Sequence, residues 1–234
     1  MRVGIIQSSF IPWRGYFDFI AGVDHFVFLD DVQYTKQDWR NRNRIKTPKG
    51  AEWVAVPVQH KSLSQLIQDT YIDYRKNWQK TILSSLKYNY ARASHIDDAL
   101  GLALAIEGGE GETISELNIR LTKAICRYLG ISTPVSLAGD LHLQSHKTDR
   151  LIEILQILQA SVYISGPSAD AYLDKEAFRR NGIRLEYKSY DYEPYPQQWG
   201  VFDGAVTVLD LIANCGPTSK RYLKSQSPNL VVVP

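Results

Sequence analysis

The 234-residue sequence predicts an α/β domain: a mostly parallel sheet with flanking helices and a helical insertion around residues 62–130. Three observations point to it. Short apolar runs alternate with helical patterns along the whole chain. The opening reads strand, loop, helix, strand, which is a βαβ unit, and such units set their strands parallel. The stretch 62–130 shows helical spacing and no alternating strand pattern.

Each element has its own signal. Val3–Ile6 is an apolar run suited to a buried strand, and it leads into Gln7-Ser8-Ser9. Pro12 and Gly15 punctuate the loop that follows. Tyr16 to Val23 suits a short helix with Phe17 and Ile20 on one face, and Phe26–Leu29 suits a second buried strand. Trp53–Val58 alternates and predicts a strand. In Asn77–Tyr90, Trp78, Ile82, Leu86 and Tyr90 recur at helical spacing, and Ala99–Glu107 is a shorter helix. Thr113-Ile114-Ser115-Glu116 fits a capping box that opens a long helix, which Gly130 ends. Val135–Leu137, Val162–Ser165 and Arg184–Tyr190 then predict strands, interleaved with helices at Asp149–Gln159, Tyr172–Asn181 and Thr207–Asn214. No repeat or low-complexity linker interrupts the chain, so one domain over 1–234 is expected, with 62–130 as a candidate helical subdomain.

Composition excludes several classes. A hydrophobic content of 44% supports a real core. Cys126 and Cys215 are too few for a disulfide framework or a zinc motif. The five histidines form no zinc-plus-glutamate helix pattern, so no metal is expected. No apolar stretch is long enough to cross a bilayer and no signal-peptide pattern is present, which predicts a cytoplasmic protein without a membrane-spanning segment. Walker A, G-x-G-x-x-G and G-x-S-x-G motifs are absent.

The charge is unevenly spread. Lys36–Lys49 carries +5 in a chain whose net charge is +2. Local charge of this kind attracts anions, and an Arg fork grips phosphate or carboxylate bidentately. The candidate binding residues of this segment are Gln33, Tyr34, Lys36, Trp39, Arg40, Asn41, Arg42, Asn43 and Arg44. If the segment is extended, Arg40, Arg42 and Arg44 share a face; if helical, Arg40 and Arg44 do. Asp30 and Asp31 are candidate catalytic carboxylates, with ion-pair or metal-ligand roles as alternatives. Gln7, Trp13 and Tyr16 lie in the loop after the first strand, and Gly166 and Tyr172 follow a later one. Ligands of parallel sheets bind beyond the carboxyl ends of the strands, so the first two polar turns are expected to meet at one mouth.

Taken together, these segments resemble the WbqC-like family of bacterial proteins. The carrying motifs are Gln7, Pro12-Trp13 and Gly15-Tyr16-Phe17-Asp18; Asp24 before Phe26-Val27; Asp30-Asp31-Val32-Gln33-Tyr34; Trp39-Arg40-Asn41-Arg42-Asn43-Arg44-Ile45-Lys46; Trp53 to Pro57; Ser165-Gly166 with Tyr172-Leu173; and Leu209-Asp210 to Gly216. They span nearly the whole chain. One departure is Gln-Ser-Ser at 7–9, where Gln-Pro is expected. The resemblance implies a part in O-antigen or related surface-polysaccharide production, with transfer of a glycyl or other small acyl group to an amino sugar. It implies a nucleotide-linked or lipid-linked sugar as acceptor and an aminoacyl-tRNA or an acyl-adenylate as donor. It assigns no catalytic role to any residue and names no cofactor. Alternatives are an ATP-dependent ligase or nucleotidyltransferase of the HIGH-type fold, whose His pair is missing here, and a nucleic-acid-binding module.

Overall fold

The computed structural model describes residues 1–234. It opens with the expected βαβ unit: β1 (Arg2–Ile6), α1 (Arg14–Ala21) and β2 (His25–Phe28). β1 and β2 pair in parallel, with Val3 opposite His25 and Ile6 opposite Phe28. An antiparallel hairpin follows, β3 (Arg42–Thr47) and β4 (Gly50–Ala55). Then come α2 (Trp78–Asn89), α3 (Ile96–Ala103) and α4 (Ile114–Leu129). The rest alternates: β5 (Val135–Leu137), α5 (Lys147–Ile157), β6 (Val162–Ser165), α6 (Lys175–Arg180), β7 (Arg184–Tyr187), α7 (Val208–Cys215) and β8 (Leu230–Val233). The main sheet has the order β5-β2-β1-β6-β7-β8, parallel except for β8. The expected α/β class and mostly parallel sheet are therefore observed.

Parallel strands are buried on both faces, and β1 shows why its sequence is continuous apolar. Val3 and Ile5 join one core with α5, α6 and β7 residues such as Leu155, Phe178 and Leu185. The opposite face packs on α1 through Phe19, Ile20, Phe26 and Phe28. At Gly4 a Cβ would fall 2.3 Å from a Phe19 ring carbon, so only glycine lets α1 sit this close. The largest core joins the hairpin, α2, α3, α4 and α7 with Phe10, Ile11 and Phe17 of the opening unit. The helices of residues 62–130 thus share their core with both ends of the chain.

Differences from the sequence expectation have local causes. The strand expected at Trp53–Val58 lies at Gly50–Ala55. The Thr47–Gly50 turn sets that register, with Thr47 Oγ1 accepting from Lys49 N–H at 3.1 Å. Pro57 has no N–H to continue the ladder. The helix expected from Tyr172 begins at Lys175, because Asp174 caps it by accepting from the N–H groups of Glu176 and Ala177. β8 has no clear periodic signal; it forms by pairing antiparallel with β7. The long helix keeps its expected limits. Thr113 and Glu116 make the reciprocal capping box, and Gly130 closes the helix at φ 66°.

Candidate functional site

In the order β5-β2-β1-β6-β7-β8, the chain winds one way from β1 to β2 and β5, and the other way from β6 to β7. The reversal falls between β1 and β6, and a crevice opens there at the carboxyl ends of the strands. A cleft of about 970 Å³ occupies this place. Ile5, Ile6 and Gln7 line it from β1 and its exit, Tyr163, Ser165 and Gly166 from β6 and its exit, and Lys147, Thr148 and Arg150 from the start of α5. Its charged lining is Arg40, Lys147 and Arg150, with no Asp or Glu.

The Gln7–Trp13 loop forms the cleft wall and is held under strain. Ile11 has φ 34°, a left-handed value rarely adopted by a β-branched residue. Such a residue costs of order 1–3 kcal/mol and persists only when its surroundings over-determine it. They do so here. Asn43 Nδ2 donates to the carbonyls of both Phe10 and Ile11 at 3.0 Å. Phe10 N–H donates to Trp39 O at 2.9 Å, and Val208 N–H to Pro12 O at 2.9 Å. Trp13, the N-cap position of α1, then tilts against Tyr190 with ring centroids 5.2 Å apart. A Cβ on Gly15 would lie 2.3 Å from the Trp13 indole, so the Trp-Arg-Gly spacing gives the ring its place.

Arg40 is 9% exposed and lines the cleft. One Nη donates to Gln7 Oε1 at 3.3 Å, while its buried Nε has no partner. Buried donors of this kind are rare in native proteins and call for a functional account. Helix α4 fixes this arrangement from behind. Asn118, fully buried, donates to Arg40 O at 2.8 Å and to Ser8 Oγ at 3.2 Å. Ser115 donates to Asp30 Oδ2 at 2.5 Å, and Ser8 N–H to Asp30 Oδ1 at 2.7 Å. The first two polar turns therefore meet, as expected from the strand ends, and α4 clamps them together.

Not every candidate faces the cleft. Asp30 is buried behind the wall with both oxygens engaged. Asp31 pairs with Arg150, and its second oxygen is buried without a partner. The expected three-guanidinium cup is not formed, because the segment is extended only from Arg42 onward. Arg42 and Arg44 do share a strand face. It is the outer one, where they lie 4.1 and 5.9 Å from the Trp53 ring, and Arg44 also donates to Ala205 O. Gln33 donates to Leu63 O, Tyr34 is buried in the core, Lys36 is exposed, and Asn41 donates to Val56 O just past the second hairpin strand. Gln7, Trp13, Tyr16, Trp39, Arg40, Asn43, Gly166 and Tyr172 line the cleft. Burial, with the Asp30 charge next in weight, raises the Tyr16 phenol far above its ordinary pKa, so it stays protonated and donates to Gln7 O at 3.0 Å. Burial likewise holds Tyr190 at about 12.

Sequence reading missed Arg150, Lys147, Tyr190, Ser115 and Asn118. Asn118 did leave a trace: it is a carboxamide beside Leu117 and Leu121 on the apolar stripe of α4. Lys147 and Arg150 left none, since basic residues in the first helical turn resemble any solvated face.

Comparison with known proteins places the chain. A family model described as WbqC-like protein family matches residues 7–222. The chain is also 46% identical over 226 residues to the uncharacterized protein Rv1507c of Mycobacterium tuberculosis, covering 95% of this chain and 97% of that one. No solved structure matches. The chain belongs to the WbqC-like protein family.

Proposed function

We propose that this member of the WbqC-like family transfers a small acyl or aminoacyl group, such as glycyl, to the amine of a phosphate-bearing amino sugar in surface-polysaccharide assembly. The observation that carries the reading is the cleft at the strand reversal, lined by three cations and no carboxylate. Its volume, about 970 Å³, suits a nucleotide-linked sugar. In this reading the Arg40 guanidinium takes a phosphate oxygen, and the α5 N-terminus with Arg150 takes another. Trp13, Tyr172 and Tyr190 supply ring faces for the sugar or base. Arg150 turns from Asp31 to the phosphate, and that movement uncovers Asp31, which does not line the cleft while the pair is closed, to accept the proton of the attacking amine. The amine nitrogen bonds to the acyl carbon, the ester oxygen of an aminoacyl-tRNA or the phosphate of an acyl-adenylate leaves, and an amide remains. Asp30 acts from behind as the group that positions Ser8 and the loop.

Thermal-shift and calorimetric titration with UDP-N-acetylglucosamine and UDP tests the reading. Saturable binding that Arg40→Gln and Arg150→Gln each weaken at least tenfold is expected. Equal affinity in wild type and both variants would place phosphate recognition elsewhere. A second reading, an ATP-using ligase or nucleotidyltransferase, draws on the strand order itself, which resembles that of nucleotide-binding sheets. Release of AMP or pyrophosphate with substrate selects it.

A further inference from the structure

The main cleft uses only part of the cationic segment, since Arg42 and Arg44 lie on the outer face of the hairpin. Opposite them in the antiparallel register stand Ala55 and Trp53. The Trp53 ring carries both guanidiniums, whose carbons lie 4.1 and 5.9 Å from its centroid. A guanidinium held on an indole keeps its charge for a further partner. The Arg42 guanidinium makes no hydrogen bond or ion pair with the protein. Arg44 spends Nε and one Nη on a carbonyl, Ala205 O, at 3.1 and 2.8 Å. No carboxylate neutralises either one. Asp38 and Asp203 of the adjoining loops accept from the N–H groups of Trp39 and Ala205 instead. Glu52, opposite Ile45, falls on the other face of the hairpin.

This charged face is continuous with the main cleft. Ala205 and Trp39 both line the cleft. The Trp39 ring lies 5.3 Å from that of Trp53, which lines a second cavity of about 560 Å³ between the hairpin and α2. The two indoles therefore bridge the cavities. Trp39 is 44% exposed and no guanidinium lies over it, so it is the ring left for a base. Lys76 is the charged residue of the second cavity wall, and no Asp or Glu lines it. A path from that cavity over the hairpin into the cleft thus meets a succession of cations. Spacing decides the class of occupant. Arg42 and Arg44 are two residues apart on one strand, about 6.8 Å, which matches the repeat of phosphates along an extended single strand. Cations in a row beside an aromatic ring are what single-strand binding uses.

We propose that the outer hairpin face binds a single strand of RNA, with successive phosphates on Arg42 and Arg44 and a base on Trp39, and leads the end of that strand into the main cleft. The surface itself stands on charge and spacing. Its assignment to RNA rests on the acyl-transfer reading, in which the strand is the acyl donor and carries the group as an ester at its end.

Fluorescence anisotropy with a labelled oligoribonucleotide of about eight residues tests it, with the deoxy strand of the same sequence and a heparin fragment as rivals. Saturable binding is expected, tighter for the ribo strand than for either rival. Arg42→Gln and Arg44→Gln should each weaken it at least threefold and each lower the slope of log affinity against log salt by about 0.7. Arg42→Lys, which keeps the charge, should keep the slope. Trp39→Ala should weaken binding at least fivefold. The surface is overturned if the ribo strand does not saturate, if all three neutral variants bind as wild type does, or if the deoxy strand or heparin binds more tightly. Binding of the ribo strand without binding of UDP-N-acetylglucosamine would keep this surface and remove the proposed acceptor. The reverse result would remove this surface and leave the acyl-transfer reading with an acyl-adenylate donor.

Discussion

Two buried polar clusters of this protein differ in one respect, and the difference sets scaffold apart from candidate site. Around Asp210 the account closes. Its Oδ1 accepts from Tyr195 and Gln197 at 2.7 and 2.8 Å, and its Oδ2 accepts from Tyr90 at 2.8 Å. Tyr90 in turn accepts from Lys46 N–H, and Gln197 accepts from Lys46 Nζ. Around Arg40 and Arg150 the account stays open: both Nε atoms and one Asp31 oxygen are buried without partners beside a large cleft. A satisfied network rigidifies, whereas an unsatisfied one holds free energy that a ligand can release.

The contrast can be broken from the closed side first. Asp210→Ala leaves Tyr90, Tyr195 and Gln197 without their shared acceptor. It should cost about 4 kcal/mol and lower the melting temperature by roughly 10 °C in a thermal denaturation scan. Asn43→Ala, which frees the carbonyls that hold the strained Ile11 turn, should cost about 2 kcal/mol. It should also weaken UDP-sugar affinity in titration, because the loop wall relaxes. Arg40→Gln sharpens the contrast from the open side. It should change stability by less than ~1 kcal/mol while costing at least ~1.4 kcal/mol of ligand affinity, the tenfold loss. A variant that unfolds the protein instead would show Arg40 to be scaffold.

A smaller effect is a pH dependence of the closed cluster. Burial raises the Asp210 pKa above its ordinary value, against the opposing hydrogen bonds from Tyr195, Gln197 and Tyr90. The folded state therefore holds the proton more tightly than the unfolded state. Stability from this group grows as pH falls through the raised folded pKa towards the ordinary value, and is lost as pH rises again. The melting temperature of wild type relative to Asp210→Asn should accordingly climb between pH 7 and pH 4. A difference that stays flat or falls would show that the carboxylate is charged throughout. Smallest of all, Arg44→Ala removes an exposed contact to Ala205 O and part of the stacking on Trp53. It should cost under ~1 kcal/mol and leave cleft affinity unchanged.

Much of this was legible in the residues alone. The βαβ opening, the capped helix from Thr113 to Gly130 and the family resemblance all rest on local pattern, and local pattern survives folding. The meeting of the Gln7 and Asp30 turns followed from parallel strands ending on one side. Which guanidinium enters the cleft did not follow, because Arg40, Arg42 and Arg44 look equivalent until the strand begins at Arg42 and turns two of them outward.

Sequence by itself determined the α/β class, the cationic segment and the side of the sheet where the cleft opens, since periodicity, charge and strand polarity are properties of neighbours along the chain. Only the tertiary structure decided that Asp30 is an anchor, that Arg150 joins Arg40 across the cleft, and that Trp39 and Trp53 link two cavities. Those pairings join residues from 14 to 110 positions apart, and a contact at that separation is set by how the layers pack.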